Sequence, residues 1–256
     1  MKKVLDLTTR PIDDLFYKRN DPMDRKLGEF VRRDPNDYVE ADFVIVGCPQ
    51  DEGIKRNKGR PGAALAPTEI RKAFYKFPIT EGLFSKILFD LGDVKIGDTL
   101  EQTHETLTEV IYQIVKDDKK LIILGGGNDI SYPDCLALSR VNPDILAFNI
   151  DSHYDVRKDH PRNSGTPYRQ LLEENILKPE KFFEVAANPL VNSPEYTKYL
   201  ENKGVKIVTL NTLREYGIDK IITKILQERN AEAIFWGFDL DSVRTMDAPG
   251  VSAPNP

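Results

Sequence analysis

Cysteine, histidine and tryptophan are scarce in this sequence, and the low cysteine count argues against a disulfide-stabilised protein. The 256 residues include only Cys48 and Cys135, with three histidines and one tryptophan. Two cysteines give no disulfide framework, so the chain suits a reducing compartment. No base is paired with either cysteine in the sequence, which disfavours a cysteine nucleophile. We predict instead that both are small buried residues near turns.

Long hydrophobic runs and excess positive charge are also missing. No uninterrupted apolar stretch is long enough to span a bilayer, and residues 1–6 lack the apolar core of a secretory signal. The formal net charge is -5, which argues against nucleic acid as the main partner. A soluble cytoplasmic protein is therefore expected, with no membrane or nucleic-acid partner.

Apolar runs alternate with helical patterns after a polar, proline-broken stretch at residues 1–40, which is expected to form an irregular arm. The predicted strands are Phe43–Val46, Ile87–Asp90, Leu121–Leu124, Ile145–Ile150, Phe182–Ala186, Val205–Thr209 and Ala233–Phe238. The predicted helices are Pro67–Lys76, Glu101–Lys116, Pro133–Leu138, Tyr168–Asn175, Pro194–Asn202 and Ile218–Arg229. This alternation indicates an α/β fold with a mainly parallel sheet covered on both faces. Since repeats and linkers are absent, residues 1–256 are predicted to form a single domain.

Acidic residues spaced by two follow the fourth and the seventh predicted strands. Asp151, His153 and Asp155 form the first group, and Asp239 and Asp241 form the second. Each aspartate alone would be interpreted as a solvated strand end or a helix cap. Residues two apart share a face of an extended segment, so these side chains are expected to converge, and converging carboxylates need a cation. Oxygen-rich ligands with one imidazole favour Mn²⁺ or a similar divalent ion, and the carboxylates suffice to bridge two ions.

Glycine-rich and polar segments follow other predicted strands, where open α/β sheets bind ligands. Gly92 and Asp93 are expected just beyond the second strand. The three glycines at 125–127 are not followed by the Lys-Ser/Thr of a P-loop and do not fit a dinucleotide fingerprint. We therefore expect that they let the backbone pass close to the metal site, rather than bind phosphate. Residues 51–64 form either a solvated loop or a lid whose arginine binds a substrate carboxylate. Residues 163–169 form a turn before a helix, a part of the site, or both.

The two histidines outside the acidic cluster are expected to contribute little. His104 lies on a predicted helix and is expected to be exposed and inert. His160 lies in the loop after Asp155. It is either a proton carrier or, as is more usual for a lone surface histidine, without function.

The acidic motifs resemble a known superfamily. The sequence NIDSHYD at 149–155, with FDLD at 238–241, resembles the metal signature of the ureohydrolases, which include arginases, agmatinases and formimidoylglutamases. Residues 51–64, 163–169 and 248–254 resemble the formimidoylglutamase branch in particular. The resemblance runs from about Phe43 to the end of the chain.

That resemblance implies a three-layer α/β/α fold, a dimanganese centre, a homo-oligomer and hydrolysis of a C–N bond in an amidine or guanidine. Formimidoylglutamate is the implied substrate, giving glutamate and formamide in histidine metabolism. The implied ligands are Asp151, Asp155, Asp239 and Asn128 for the first metal, and Asp151, His153, Asp239 and Asp241 for the second. The implied substrate-binding residues are Arg56, Arg60, Asn163, Ser164 and Arg169. The three arginines would hold the glutamate carboxylates. Asp155 or Asp241 would relay a proton to the leaving nitrogen.

Two departures from the family pattern modify these expectations. Asn128 replaces the metal-binding histidine of the family's Gly-Gly-Gly-His-Asp motif, and an amide oxygen is a weaker donor than an imidazole, so the first metal is expected to be loosely bound or absent. Family members continue beyond Pro256, so the chain is expected to be truncated there. The alternatives are an impaired ureohydrolase-like protein that binds a ligand or partner without turnover, and an arginase- or agmatinase-type activity. Tyr168 argues against the latter, because those enzymes usually carry a histidine there.

Overall fold

Residues 2–83, 85–244 and 246–251 are described by the structure, which is a computed structural model. These described residues fall into two units, one within 2–53 and 61–137 and one within 54–60 and 138–251. Each unit is built from helices and a mainly parallel sheet, which confirms the predicted fold class. The single domain stays a prediction. The end of the last motif, at 252–254, and the expected truncation after Pro256 lie outside the described residues.

The first unit contains a four-stranded sheet in the order β1-β3-β2-β4. Its strands are β1 (Thr8–Thr9), β2 (Phe43–Gly47), β3 (Leu88–Val94) and β4 (Lys120–Leu124). β2 pairs in parallel with both β3 and β4, and β1 pairs antiparallel with β3 at the edge. The sequence predicts the three longer strands, but not β1, because two residues are too few to show a periodic pattern.

The helices of the first unit cover this sheet. They are α1 (Lys2–Asp6), α2 (Leu27–Phe30), the start of α3 (Glu52–Arg56), α4 (Ala66–Phe74), α5 (Leu100–Lys116) and most of α6 (Ser131–Ser139). α5 begins with a capping box, in which Thr99 Oγ1 accepts the Gln102 N–H at 3.1 Å and Gln102 Oε1 accepts the Thr99 N–H at 3.3 Å. Leu107, Ile111 and Ile114 then pack in the same hydrophobic cluster as β2 and β3.

Residues 2–40 are more ordered than the irregular arm that their composition predicts. They contain α1, α2 and two 3₁₀ helices, Asp13–Leu15 and Pro35–Glu40. Their buried side chains in the hydrophobic clusters are Val4, Leu15, Phe16, Leu27, Val31 and Tyr38. Helices this short offer one or two apolar positions each, so the sequence shows no helical period there.

Gly92 and Asp93 were expected just beyond the second strand, but they lie within it, beside an ion-pair network centred on Arg71. β3 continues past Asp90 because β1 pairs with its end, so both residues lie within the strand. Arg71 of α4 is 1% exposed and donates to Asp90 from Nε at 2.9 Å and from Nη2 at 3.0 Å. Its Nη1 donates to Asp93 at 2.6 Å, and the Tyr75 hydroxyl donates to Asp90 at 2.6 Å. One guanidinium thus compensates a fully buried carboxylate, Asp90, and a part-buried one, Asp93.

Replacing Arg71 tests this network. Arg71→Leu should lower the free energy of unfolding by about 3–5 kcal/mol, because Asp90 and Asp93 lose their cation. Lys72→Leu is the control on the same helix, since the Lys72 side chain is 51% exposed and contacts Glu69 at 2.8 Å. It should change the free energy of unfolding by less than about 1 kcal/mol. Urea denaturation measures both, and equal effects would show that the network does not stabilise the unit.

The second unit contains a four-stranded parallel sheet in the order β7-β6-β5-β8. Its strands are β5 (Ile145–Ile150), β6 (Phe182–Ala187), β7 (Lys206–Thr209) and β8 (Ala233–Phe238). Its helices are α7 (Pro167–Glu173), α8 (Pro194–Lys203), α9 (Leu210–Tyr216) and α10 (Ile218–Glu228), besides the end of α3. The sequence predicts all four strands but not α9, which follows β7 without a break. No helix within the described ranges has the length and apolar character needed to cross a membrane.

The register between β5 and β8 decides where the acidic segments lie. Ile150 pairs with Phe238, and the Asp239 N–H donates to the Ile150 carbonyl at 3.0 Å. Asp151 and Asp239 therefore leave neighbouring parallel strands at the same level. The predicted convergence of the two acidic segments follows from this register.

Candidate metal centre

Five side chains meet beyond the carboxyl ends of β5 and β8. Asp151, His153 and Asp241 form one group, and Asp151, Asp155 and Asp239 form a second. In each group the candidate ligand atoms lie within 4.8 Å of one another, and Asp151 belongs to both. The structure thus brings together the five residues of the second unit that the sequence places around metal ions. Their role as ligands stays a prediction.

The carboxylates of this cluster oppose one another's ionisation. Burial, followed by the charges of Asp239, Asp155 and Asp241, holds the pKa of Asp151 well above its ordinary value. Burial, followed by the charge of Asp241, raises the pKa of Asp239 to about 6. Asp239 also caps the 3₁₀ helix Leu240–Ser242, since its Oδ1 accepts the Asp241 N–H at 2.9 Å, but a capping role does not explain its acidic neighbours. Carboxyls in this situation are suited to neutralisation by a divalent cation.

His153 turns one ring nitrogen towards these acids. Its Nδ1 lies 2.8 Å from Asp241 Oδ2 and 3.5 Å from Asp151 Oδ1. Burial opposes the charged imidazole, but the hydrogen bond to Asp241 and the surrounding carboxylates outweigh burial, so the pKa of His153 is raised. Burial likewise opposes the charged form of Asp241, and the contact with His153 outweighs it, so the pKa of Asp241 is lowered.

The ligand loop, defined here as residues 151–155, is held by hydrogen bonds from neighbouring segments. The Asp151 N–H donates to the Val185 carbonyl of β6 at 2.9 Å. The Ser152 N–H donates to Asp241 Oδ1 at 3.3 Å, and the Ser152 hydroxyl donates to the Asp241 carbonyl at 2.8 Å. The His153 N–H donates to Asp151 Oδ1 at 2.7 Å. Ser152 therefore joins the ligand loop to both the carboxylate and the backbone carbonyl of Asp241.

Two asparagines after β6 also support the ligand loop, and the sequence analysis missed both. The Asn188 N–H donates to the Ser152 carbonyl at 3.0 Å. Asn192 Nδ2 donates to the same carbonyl at 2.7 Å, and Asn192 Oδ1 accepts the Tyr154 N–H at 3.1 Å. Their position beyond the carboxyl end of a parallel strand was the available signal, because ligand sites form at that edge.

A buried polar pair lies on β5 and β6. Asn149 Nδ2 donates to Glu184 Oε2 at 2.9 Å and to the His153 carbonyl at 3.3 Å. Glu184 is 1% exposed, and burial raises its pKa well above its ordinary value although the hydrogen bond from Asn149 opposes this shift. Asn149 thus links the core of the sheet to the ligand loop.

The middle of segment 51–64, predicted to be a solvated loop or a lid, contacts a loop that contains Ser164. Arg56 Nη1 donates to the Arg162 carbonyl at 3.2 Å, and Asn57 Nδ2 donates to Ser164 Oγ at 3.0 Å. Arg60 is exposed and donates to the carbonyl of Pro249 at 3.3 Å. Segment 51–64 therefore contacts both other segments that resemble the formimidoylglutamase branch, 163–169 through Ser164 and 248–254 through Pro249. Substrate binding by Arg56, Arg60 and Ser164 stays a prediction.

Asn163 and Arg169 flank the start of α7. Asn163 is 3% exposed, and its Oδ1 accepts the Gly165 N–H at 2.9 Å, which gives the predicted turn before a helix. Arg169 Nε lies 2.8 Å from Glu173 Oε1, and its guanidinium lies 4.1 Å from the centre of the Tyr199 ring. Both side chains have structural contacts, and substrate binding by either stays a prediction.

His104 is buried, contrary to the exposed position that its helix suggests. It is 2% exposed, and its Nε2 lies 2.8 Å from Asp129 Oδ2, which also accepts Gln50 Nε2 at 2.6 Å. The helical pattern did not reveal this partner because Asp129 belongs to a later segment. In the same unit, Asn128 Oδ1 accepts the Ser131 hydroxyl at 2.7 Å, and its role as a metal ligand stays a prediction. His160 is exposed, as expected.

Both cysteines are free and buried, as predicted. Burial, followed by the charges of Asp129 and Asp93, raises the pKa of the Cys48 thiol. Burial, followed by the charge of Asp134, raises the pKa of the Cys135 thiol. A raised thiol pKa disfavours the thiolate, which agrees with the absence of a cysteine nucleophile from the predicted chemistry.

Comparison with known proteins places the chain in a family. The sequence profile of the arginase family matches residues 41–256. The chain belongs to the arginase family. Formimidoylglutamase from Bacillus subtilis is 30% identical to it over an alignment of 225 residues, and the match covers 83% of this chain and 70% of the relative. These matches confirm the predicted kinship with ureohydrolases and with formimidoylglutamases.

Solved structures of arginase-family enzymes agree with this assignment. Formiminoglutamase from Trypanosoma cruzi with two Mn²⁺ ions matches with a TM-score of 0.82 at 32% identity, covering 90% of this chain and 80% of that chain. A variant of that enzyme in which one asparagine is replaced by histidine, also solved with Mn²⁺, matches with a TM-score of 0.83 at 31% identity, covering 91% and 80%. The predicted arginase-like fold is thereby confirmed.

The raised pKa of Asp239 predicts how pH affects the metal-free protein. Folded Asp239 keeps its proton up to about pH 6, whereas the unfolded chain releases it near 3.8, so its contribution to stability is lost as the pH rises between these values. In EDTA, we compare the melting temperature of Asp239→Asn with that of wild type at each pH. The difference, variant minus wild type, should increase by about 5 °C between pH 4 and pH 7. Thermal melts followed by circular dichroism measure it. A difference that stays constant over this range would contradict the prediction.

Proposed function

We propose that the protein is a metal-dependent amidine hydrolase that converts formimidoylglutamate and water to glutamate and formamide. The observation that carries the proposal is the convergence of Asp151, His153, Asp155, Asp239 and Asp241 at one edge of the second unit. Membership of the arginase family and the formimidoylglutamase relatives support the same activity.

The donor set fits divalent cations of the manganese type. It offers four carboxylates and one imidazole without a thiolate, which is the ligand chemistry of Mn²⁺ rather than of structural zinc. Asp151 lies in both geometric groups, which supports a role towards both ions, while Asp239 lies in one of them. By the family resemblance, Asp151, Asp155, Asp239 and Asn128 would hold the first ion. Asp151, His153, Asp239 and Asp241 would hold the second.

The chain's own residues would supply the proton transfers. When bound, the cations would lower the pKa of water and stabilise negative charge during C–N cleavage. Asp155 or Asp241 would carry a proton to the leaving nitrogen.

Arginines would bind the two carboxylates of a glutamate-derived substrate. A guanidinium presents parallel N–H donors that match a carboxylate. Arg56 and Arg60 are our first choices, because their segment contacts the loop that carries Ser164. Arg169 would have to exchange its pairing with Glu173 for the substrate. Asn163 would hold the loop in shape through its turn.

The proposal also includes the compartment, the oligomeric state and the partners of the protein. The two free cysteines suit the reducing cytoplasm, where the reaction would serve histidine metabolism. A homo-oligomer is expected from the family resemblance. Small molecules are the proposed partners, rather than membranes or nucleic acid.

Tyr168 argues against arginase or agmatinase activity. It is fully buried and stacks on Phe182 with ring centres 5.1 Å apart. Gly237 leaves room for its hydroxyl, since a Cβ there would lie 2.1 Å from that oxygen. Tyr168 is therefore a core residue that does not supply the histidine usual in those enzymes.

Asn128 is the feature that favours a second candidate, a ureohydrolase-like protein that binds a ligand or partner without turnover. Its amide oxygen would be a weak metal ligand. The Trypanosoma cruzi enzyme, however, was solved with Mn²⁺ both before and after replacement of an asparagine by histidine. That relative therefore binds manganese with asparagine at its substituted position, which makes the hydrolase the better proposal.

A substrate panel tests the proposed activity. With Mn²⁺ added, the protein should hydrolyse formimidoylglutamate in preference to arginine and agmatine. Asp151→Asn should lose bound metal together with activity, to less than about 1% of wild type, because it removes the shared ligand. Asp144→Asn is a control in the same unit, where Asp144 pairs with Lys178 and Lys181 instead. Turnover of arginine without formimidoylglutamate, or full metal content in Asp151→Asn, would refute the assignment.

Replacing Asn128 tests the first metal position separately. Asn128→His should raise the affinity for the more weakly held ion by about 10-fold or more, because an imidazole replaces a neutral amide oxygen. Wild type should keep one ion or none after dialysis, whereas the variant should keep two. Metal content by elemental analysis measures this on matched samples. Two retained ions per wild-type chain would show that Asn128 is an adequate ligand or that another residue replaces it.

A further inference from the structure

We infer that Asn192 is a positioning residue of the metal centre, which fixes the peptide groups on both sides of His153 and through them the imidazole. The inference rests on the proposed function, because it takes the acidic cluster to bind metal ions. It concerns a residue outside that cluster, in the segment between β6 and α8.

The Asn192 side chain holds the two peptide bonds that flank His153. Its Nδ2 donates to the Ser152 carbonyl at 2.7 Å, and its Oδ1 accepts the Tyr154 N–H at 3.1 Å. The first group belongs to the peptide before His153 and the second to the peptide after it. A rotation of His153 about its backbone would have to break at least one of these bonds.

Asn192 is itself fixed by the segment that carries it. Its Nδ2 also donates to the Asn188 carbonyl at 2.9 Å, and that carbonyl accepts the Val191 N–H at 3.1 Å. The next residue, Ser193, caps α8 by accepting the Glu195 N–H at 3.2 Å. The amide is therefore anchored to a closed turn on one side and to a helix start on the other.

The ligand loop needs such support because it lies outside the sheet. It begins where β5 ends, and Asp155 has a positive φ of 46°, so the chain turns sharply just after Tyr154. Asn149 holds the His153 carbonyl at 3.3 Å, a longer contact than either bond from Asn192. An isolated carboxylate or hydroxyl could not replace Asn192, because neither combines two N–H donors with an acceptor.

Loss of Asn192 should therefore weaken metal binding. Groups that orient metal ligands typically contribute 10- to 100-fold to metal affinity, and we expect about 10-fold here because Asn192 acts through the backbone. A purely structural residue would lower the melting temperature without changing the affinity of the folded protein for metal. The two roles can be separated by measuring both quantities.

The experiment compares Asn192→Ala and Asn192→Leu with wild type. Leucine approaches asparagine in size without its polar atoms, so it removes the hydrogen bonds and leaves little empty space. Thr209→Ala is the matched control, because Thr209 Oγ1 accepts the Thr212 N–H at 3.2 Å and caps α9 in the same unit. The described hydrogen bonds of the Thr209 hydroxyl go to Thr212 and not to the ligand loop. That change should cost about 1 kcal/mol of stability. Titration with Mn²⁺ alone, followed by electron paramagnetic resonance of the free ion, gives Kd, and melts in EDTA give stability.

We expect Kd for Mn²⁺ to rise about 10-fold in both Asn192 variants and to stay within about twofold of wild type in Thr209→Ala. Unchanged Kd in a folded Asn192 variant would overturn the positioning role and leave the proposed function intact. An equal loss of affinity in Thr209→Ala would also overturn it, because general destabilisation would then be the cause. Absence of Mn²⁺ binding by wild type would instead overturn the proposed function itself.

Discussion

Repulsion between buried carboxylates is the constraint on which the second unit depends. The parallel register of β5 and β8 brings Asp151 and Asp239 to the same level, and Asp155 and Asp241 follow within the same small volume. Removing these charges from water is costly, and placing them side by side adds to the cost. Within the described part of the second unit, the imidazole of His153 lies beside Asp151 and Asp241 and favours their charged forms. Divalent cations would neutralise a cluster of this kind more fully, and the proposed chemistry relies on them.

Strands and loops contribute to the centre in different ways. Asp151 and Asp239 directly follow paired strands, so the sheet itself determines their positions. His153 and Asp155 lie further along the chain, where the backbone turns and strand pairing no longer holds it. There the side-chain amides of Asn149 and Asn192 hold the backbone in place of strand pairing. The polar residues beyond β6 therefore support the site, although they are outside the acidic cluster.

The sequence was most informative where the pattern was local. The strands β2 to β8 each contain an apolar run, and the acids spaced by two at 151–155 and 239–241 identified the candidate site before its geometry was known. Distant partners were not predictable in this way. His104 pairs with Asp129, and Arg71 pairs with Asp90 and Asp93, across separations that no helical or strand period can reveal. Asn192 was missed for the same reason, since its importance lies in a loop about 40 residues earlier.

Because β8 lies at an edge of its sheet, a cation bound at the acidic cluster would also affect the stability of that edge. Within the part of the second unit that the structure describes, β8 pairs only with β5, and its Ile234, Trp236 and Phe238 are 42%, 47% and 64% exposed. An edge strand with exposed apolar side chains is a template for pairing with other chains. A cation shared by Asp151 and Asp239 would tie this strand to its neighbour as a removable crosslink. Loss of that cation would loosen the edge strand, so the supply of metal would affect the stability of the second unit.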